Sequence, residues 1–287
     1  MKYILIIALL FNVSSAQSLF GVVASDGFDA DARRYLDSAG ITNSSQRSAF
    51  NTFVKGMKSN GLWTKAAAIY PFMGTTASSQ KWNAKDVRDL DAAYRLTFVN
   101  SATHDANGVT FNGTTQYAQT YLTASSVQTD NNNAILIYNR TNNSGSITDI
   151  GARSTRVSGG ERITAIYAKL GDGKAYAYNQ NLSLEFSATN TDASGLYINT
   201  RTSSTSFKVF RNGTQLGSTI STSNTETLPV ASYTIGALNW AGTGLFNYSN
   251  RNYCFAVIFT SGLSDSEAST ASSLINTLQT ALGRNTY

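Results

Sequence analysis

From residue 109 onward the chain consists of short segments in which apolar and polar residues alternate, broken about every ten residues by Gly, Asn and Ser. That spacing admits an antiparallel sandwich or barrel and little else. The sharpest example is FKVFRNGTQLGS, where Phe207, Val209 and Leu216 alternate with polar neighbours around Arg211-Asn212-Gly213. Asn-Gly between alternating segments is the strongest short-range hairpin signal, because both turn residues must take positive φ. Phe111-Asn112-Gly113 followed by Tyr117 repeats the pattern, and Tyr233, Ile235 and Ala237 alternate before a Gly-rich loop. The loop leads into a dense apolar strand, Cys254 to Phe259. Ser264-Asp265-Ser266-Glu267 then forms an S-x-x-E capping box that opens a final helix.

Ahead of the strands the period is helical. Asp29 can cap a helix with Ala32, Tyr35, Leu36 and Ala39 on one face, ended by Gly40. Asn43 starts a second, in which Ala49, Phe50, Phe53, Val54 and Met57 recur at helical spacing up to Asn60-Gly61. Strands are expected within 63–73, broken by Pro71, and over 94–99, 109–121, 134–139, 163–169, 175–178, 182–187, 195–199 and 207–211, before the final two. The chain therefore divides into an apolar N-terminus (1–16), a helical segment (17–61) and one sandwich with a closing helix (62–287).

The succession of an F-x-G-x-x-x-Y strand, a V-F-x-N-G hairpin, an I-G strand, a long loop, an apolar strand and an L-S-D-x-E helix resembles the laminin-G-like, concanavalin A-like lectin/glucanase sandwiches. The resemblance runs from about Phe111 to the C-terminus. The preceding stretches FDADARRYLDSAG, NTFVKGMKSNGLWTKAAAIYPFMG and KWNAKDVRDLDAAYRLTF are similar to the lead-in of such domains in structural and tail-associated proteins of bacteriophages. The resemblance implies a mainly β fold, an antiparallel β-sandwich (jelly roll, concanavalin A-like) with two N-terminal helices and one C-terminal helix. It also implies recognition at a virion or secreted surface, of the fibre, spike or capsid-decoration type, and no catalysis.

Composition narrows the partners. Charged residues make up 14% of the chain, and the net charge of +5 is scattered, so no basic stripe exists to track phosphates. Nucleic acid is excluded as a partner. Met1 to Ala16, MKYILIIALLFNVSSA, carries one Lys, an apolar stretch and small residues at Ser14 and Ala16, the layout of a secretory signal cleaved before Gln17. The alternative is a retained hydrophobic element that docks on another subunit; the stretch is too short to span a bilayer comfortably. Either reading places the protein outside the cell or on a virion surface. Cys254 is the one cysteine, so no intrachain disulfide forms, and it reads as a small buried apolar residue.

Catalytic chemistry finds no constellation. Glycosidases need two carboxylates about 5 Å apart in the retaining case, yet no E-x-D-x-E pattern occurs and Glu267 is consumed by its cap. Glu185 is the one plausible lone acid and reads as a solvent-facing strand residue. A triad needs His, and His104 sits in a turn-like segment. No Cys/His cluster suits zinc, and Asp130 to Asn133, Asp149 and Asp192 lack the spacing of a calcium loop. No metal or cofactor is expected.

Recognition remains. Sugar sites stack an aromatic ring on a pyranose beside planar hydrogen-bonding groups. Asn239, Trp240, Tyr248, Asn250 and Arg251 in one Gly-rich loop have that composition. The competing role for Trp240 is to cap the sandwich edge; Trp63, Trp82, Tyr117 and Tyr121 read as core. The expected function is non-catalytic binding of surface glycans or polysaccharide by a homo-oligomer or a virion component. The competing functions are a purely structural capsid or filament subunit, and a secreted glycoside hydrolase with an unrecognised site.

Overall fold

A computed structural model describes residues 27–155 and 160–287; the leader-like Met1 to Ala16 lies outside them. In chain order the elements are α1 (Ala30–Ser38), α2 (Ser44–Ser59), α3 (Leu62–Lys65), β1 (Ala66–Tyr70), α4 (Ala77–Gln80), β2 (Thr97–Val99), β3 (Thr103–Asp105), β4 (Gly108–Thr110) and β5 (Tyr117–Thr123). Then follow α5 (Ala124–Val127), β6 (Asn133–Asn139), β7 (Ile150–Thr155), β8 (Glu161–Tyr167), β9 (Lys174–Asn181), β10 (Phe186–Thr189), β11 (Gly195–Ser203), β12 (Ser206–Arg211) and β13 (Thr214–Ile220). The chain closes with β14 (Ser232–Ile235), β15 (Leu238–Trp240), β16 (Gly244–Phe246), β17 (Asn252–Phe259) and α6 (Asp265–Ala281).

The strands form two sheets, and the expected antiparallel sandwich is what they build. The first runs β13-β12-β11-β6-β17-β4-β3, with β1 also on β17. The second runs β10-β9-β8-β7-β14-β5-β2, and the hairpin β15–β16 joins it along β7. Asn212-Gly213 is the two-residue turn of the β12–β13 hairpin, with φ of 53° and 83°, as its sequence requires. Asn112-Gly113 does otherwise. Asn112 Oδ1 accepts the N–H groups of Thr114, Thr115 and Gln116, so the expected single strand 109–121 breaks there and the chain crosses from β4 to β5 in the other sheet.

A third layer explains the longest apolar runs. Strands β6 and β17 are buried at every position. Their alternate residues serve two cores: Ile135, Ile137, Ala256 and Ile258 face the second sheet, while Leu136, Tyr138, Phe255 and Val257 pack under the helices with Tyr35, Phe50, Phe53 and Ile275. Phe53 of α2 meets Phe255 edge-on at 5.3 Å between ring centroids. Each such side chain contributes roughly 1.5–3 kcal/mol, so removing the helices would leave an apolar sheet face in water. Trp63 lies in this helical core with Trp82 packed against it. Burial pushes the Cys254 thiol up to about 12, which fits its packing role. Tyr117 and Tyr121 depart from the core role read from the sequence. Strand β5 alternates strictly, and both rings fall on its partly exposed side.

The helix caps carry pH-sensitive stability. Asp29 accepts from the Asp31 amide at 2.9 Å and from Lys58 Nζ at 2.7 and 2.8 Å. Burial opposes its ionisation, but the Lys58 bond and the amides outweigh this and hold the carboxyl below its ordinary value. Glu267 is lowered in the same way: burial opposes, and Lys65 and the Ser264 bonds prevail. A lowered carboxyl gives stability that is complete above the unfolded value, about 4, and is lost as pH falls through the folded one. Thermal midpoints should therefore be level between about pH 7 and 5 and drop below about pH 4. The Asp29→Asn, Glu267→Gln double variant should start lower and lose less on acidification; an equal drop in both proteins would refute the assignment.

Candidate functional site

With the helices on the first sheet, the outer face of the second sheet is the broad surface left for a ligand. Alternation sorts its residues. Ile150, Ala152 and Ile166 belong to the inter-sheet core, whereas Ile163, Ala165, Tyr167 and Leu238 form a separate outer cluster against which Tyr176, Tyr178 and Leu182 pack. Trp240 on β15 lies beside Arg153 of β7 in register, and Arg153 lies beside Ile163 of β8. One step along, Ala165 pairs with Tyr178 of β9. Three strand-to-strand steps of ~4.8 Å put the Trp240 and Tyr178 backbones roughly 15 Å apart on one face.

The β15–β16 hairpin positions Trp240. Gly236, at φ 82°, turns the chain from β14 into β15 under the Phe111 ring, where a Cβ would collide. Leu238 then seats over Gly151, whose added Cβ would lie 2.8 Å from Leu238 Cδ1. Trp240 stacks on the Arg153 guanidinium, 3.9 Å from Cζ to the ring centroid, and donates Nε1–H to Thr155 Oγ1 at 3.1 Å. Phe246, exposed, lies 5.7 Å away across the hairpin. Arg153 is ion-paired with Glu161. Its Nε is left without a protein acceptor, and burial lowers its pKa.

The far end is a tyrosine pad. Tyr176 and Tyr178 are half-buried on the same side of β9, and Tyr178 meets Tyr167 edge-on at 6.0 Å. Tyr176 Oη donates to Asp172 Oδ2 at 2.6 Å, a bond that holds the Asp172 carboxyl below its ordinary range. Tyr178 Oη donates to Glu185; burial first, then this carboxylate, pushes the phenol well up. Glu185 therefore sits in the loop before β10 and not on a strand as expected. The arrangement is two aromatic ends with hydrogen-bonding groups of fixed orientation beside each ring, seated on a buried apolar cluster that includes Ile163 and Ala165.

The five residues expected to act together are dispersed. Asn239 alternates with Trp240, so its amide turns the other way and donates to Ser232 O at 2.8 Å. Tyr248 stands 6.3 Å from Tyr117, and exposed Asn250 accepts from Asn143 Nδ2 at 2.6 Å. Arg251 corrects the expectation most sharply: it is fully buried, and every guanidinium nitrogen is bonded to Asp149, Asn143 or Lys169. It has no face to offer a ligand. Asp149, considered above as a calcium oxygen, is consumed by the same pair, and Asp192 holds Ser194 and Arg211. His104 lies on β3, its Nδ1 2.8 Å from Gln80 Oε1. Arg153, Glu161, Tyr176 and Tyr178 escaped the sequence reading, although KAYAY at 174–178 alternates Tyr with Ala as an outward-facing strand should.

No family model and no curated protein matches the chain. Solved structures do. A carbohydrate-binding module (CBM40) of the Ruminococcus gnavus IT-sialidase, bound to α2,3 sialyllactose, is 13% identical with a TM-score of 0.42, over 52% of this chain and 85% of that one. Domain 4 of AbnA, an extracellular GH43 arabinanase from Geobacillus stearothermophilus in complex with arabinotriose, is 12% identical with a TM-score of 0.46, over 72% of this chain and 98% of that one. Trypanosoma rangeli sialidase in complex with sialic acid is 12% identical with a TM-score of 0.51, over 71% of this chain and 32% of that one. At this identity the likeness to the T. rangeli enzyme establishes one thing, a shared β-sandwich fold.

Proposed function

We propose that this chain is a non-catalytic glycan-binding protein whose site is the outer face of the second sheet, from Trp240 and Phe246 to Tyr176 and Tyr178. The observation that carries the reading is the pairing of partly exposed aromatic rings at two ends of one face. At roughly 5 Å per sugar ring, a separation of about 15 Å suits an oligosaccharide of three or more units lying across the strands. Glu161, Asp172 and Glu185 each hold a separate partner, Arg153, Tyr176 and Tyr178, which supports recognition over paired-acid hydrolysis. The setting is extracellular or on a virion surface, in a fibre, spike or capsid-decorating assembly of several copies. No helix among the described residues is long and apolar enough to cross a membrane.

A glycan array probed with the full chain tests this. Neutral oligosaccharides of three or more units should bind, and disaccharides should bind at least tenfold more weakly. Sialylated glycans should bind more weakly than neutral ones, because Arg153 is already neutralised and carboxylates rim the tyrosines. A folded protein that binds no glycan would overturn the proposal in favour of an assembly subunit.

A further inference from the structure

The fold buries a positive charge that no carboxylate answers. Arg284, just past α6, is 1% exposed. Its Nε donates to Gln279 Oε1 at 2.6 Å, one Nη1 hydrogen to Phe72 O at 2.9 Å, and Nη2 to Pro71 O at 2.5 Å and Cys254 O at 3.1 Å. Four of its five N–H groups are thereby used, all on neutral oxygens. Arg140 adds a second cation beside it, with Nε 2.8 Å from Arg284 O. Among the described residues neither arginine has an ion-pair partner. A buried ion without a counterion is costly, so the arrangement calls for a negative charge.

A cavity of about 80 Å³ adjoins it, lined by Arg284 and Gln46 of α2, by Met73, Gly74 and Thr75 of the loop after β1, and by apolar Ala106 and Leu282. The chain there is bent into the left-handed region at Phe72 (φ 44°) and Gly74 (φ 88°), and the Pro71 and Phe72 carbonyls turn to the guanidinium. Next to Arg284, Gln279 is fully buried and its Nε2 has no acceptor. The unused Arg284 N–H and the unanswered guanidinium charge are what select an anion over a cation in this cavity. One water takes about 30 Å³ of liquid, so the space admits a small ion with about one or two waters beside it.

We propose that this cavity binds one small monovalent anion, a halide or a carboxylate group, held by Arg284. The inference is independent of the glycan reading. Crystals of the full chain grown in sodium bromide should show an anomalous bromide peak within hydrogen-bond range of the Arg284 guanidinium. In solution, the thermal midpoint should rise saturably with bromide or acetate, by roughly 5 °C at a hundredfold excess over Kd. Exposed Thr75→Glu, which supplies a tethered carboxylate at the cavity wall without disturbing the core, should abolish that response. Response to bromide but not acetate would identify a free halide, and response to both would extend the site to carboxylates. The absence of a bromide peak, or parallel salt responses in the wild type and Thr75→Glu, would overturn the proposal.

Discussion

Asp149→Ala is expected to lower the unfolding free energy by about 3–5 kcal/mol, the usual cost of stripping one partner from a buried ion pair. Asp149 and Arg251 are both fully buried. Arg251 Nη1 donates to both carboxylate oxygens at 2.8 Å, the Ala168 amide donates at 2.6 Å and Tyr253 Oη at 2.7 Å. The guanidinium is finished by Asn143 Oδ1 at 2.9 Å, Asn143 O at 2.8 Å and Lys169 O at 2.7 Å. Burial alone would depress the Arg251 pKa, yet Asp149 outweighs it and the value is raised. Burial and the Asp149 charge both push the Tyr253 phenol up, which keeps it a neutral donor.

The charge left behind does the damage, so the double variant discriminates. Asp149→Ala, Arg251→Met removes both ions and should recover at least about 2 kcal/mol relative to the sum of the single changes. Urea denaturation of the four proteins measures this. A loss below about 1 kcal/mol for Asp149→Ala, or strict additivity, would mean that the pair is not isolated from water as the structure has it. The pair also reaches the candidate site. Asp149 O accepts the Gly236 amide at 2.9 Å, and Asn247 O accepts the Thr148 amide at 2.8 Å. The turn that carries Trp240 onto the sheet is thus pinned to the residues flanking the pair, and glycan binding should weaken in any folded Asp149→Ala protein.

How far these features could be read from the sequence follows from their range. Signals confined to a few residues translated directly: the Asn212-Gly213 turn, and the Ser264/Glu267 box, which caps α6 with Ser264 Oγ accepting from the Glu267 amide at 3.3 Å. The same holds for Asp29 and Asn43 at the starts of α1 and α2. Signals that depend on a distant partner did not. Arg251 among Asn and Gly looks like a loop cation, and only the fold brings Asp149, 102 residues earlier, under it. Trp240 beside glycines was legible as a surface ring, but its company was not, since β7, β8 and β9 that complete the face lie between 59 and 90 positions upstream. The apolar stretches 134–138 and 254–259 announced buried strands without revealing that one side of each serves a helical layer.

Trp240→Ala should weaken oligosaccharide binding by about 10- to 100-fold, roughly 1.4–2.8 kcal/mol, the worth of a stacking ring together with the area it buries. The change also removes the Thr155 bond and uncovers the Arg153 guanidinium, so binding must be read against an unchanged fold by near-UV dichroism. Tyr178→Phe keeps the ring and loses only the Glu185 bond; it should stay within about threefold of the wild type, whereas Tyr178→Ala should lose about tenfold. Chain length separates this reading from a general loosening of the surface. A ligand long enough to cover both ends feels both truncations, so their effects on a tetrasaccharide should add, because the sites stand more than 10 Å apart. A disaccharide covers one end and should feel one truncation and ignore the other. Tyr248→Ala and Asn250→Ala should leave every affinity unchanged, since these residues stand beside Tyr117 and Asn143 and away from the Trp240 face. If they weaken binding while Trp240→Ala and Tyr178→Ala do not, the ligand sits at the sandwich edge, and the aromatic face of the second sheet is only the packing of its own hairpin.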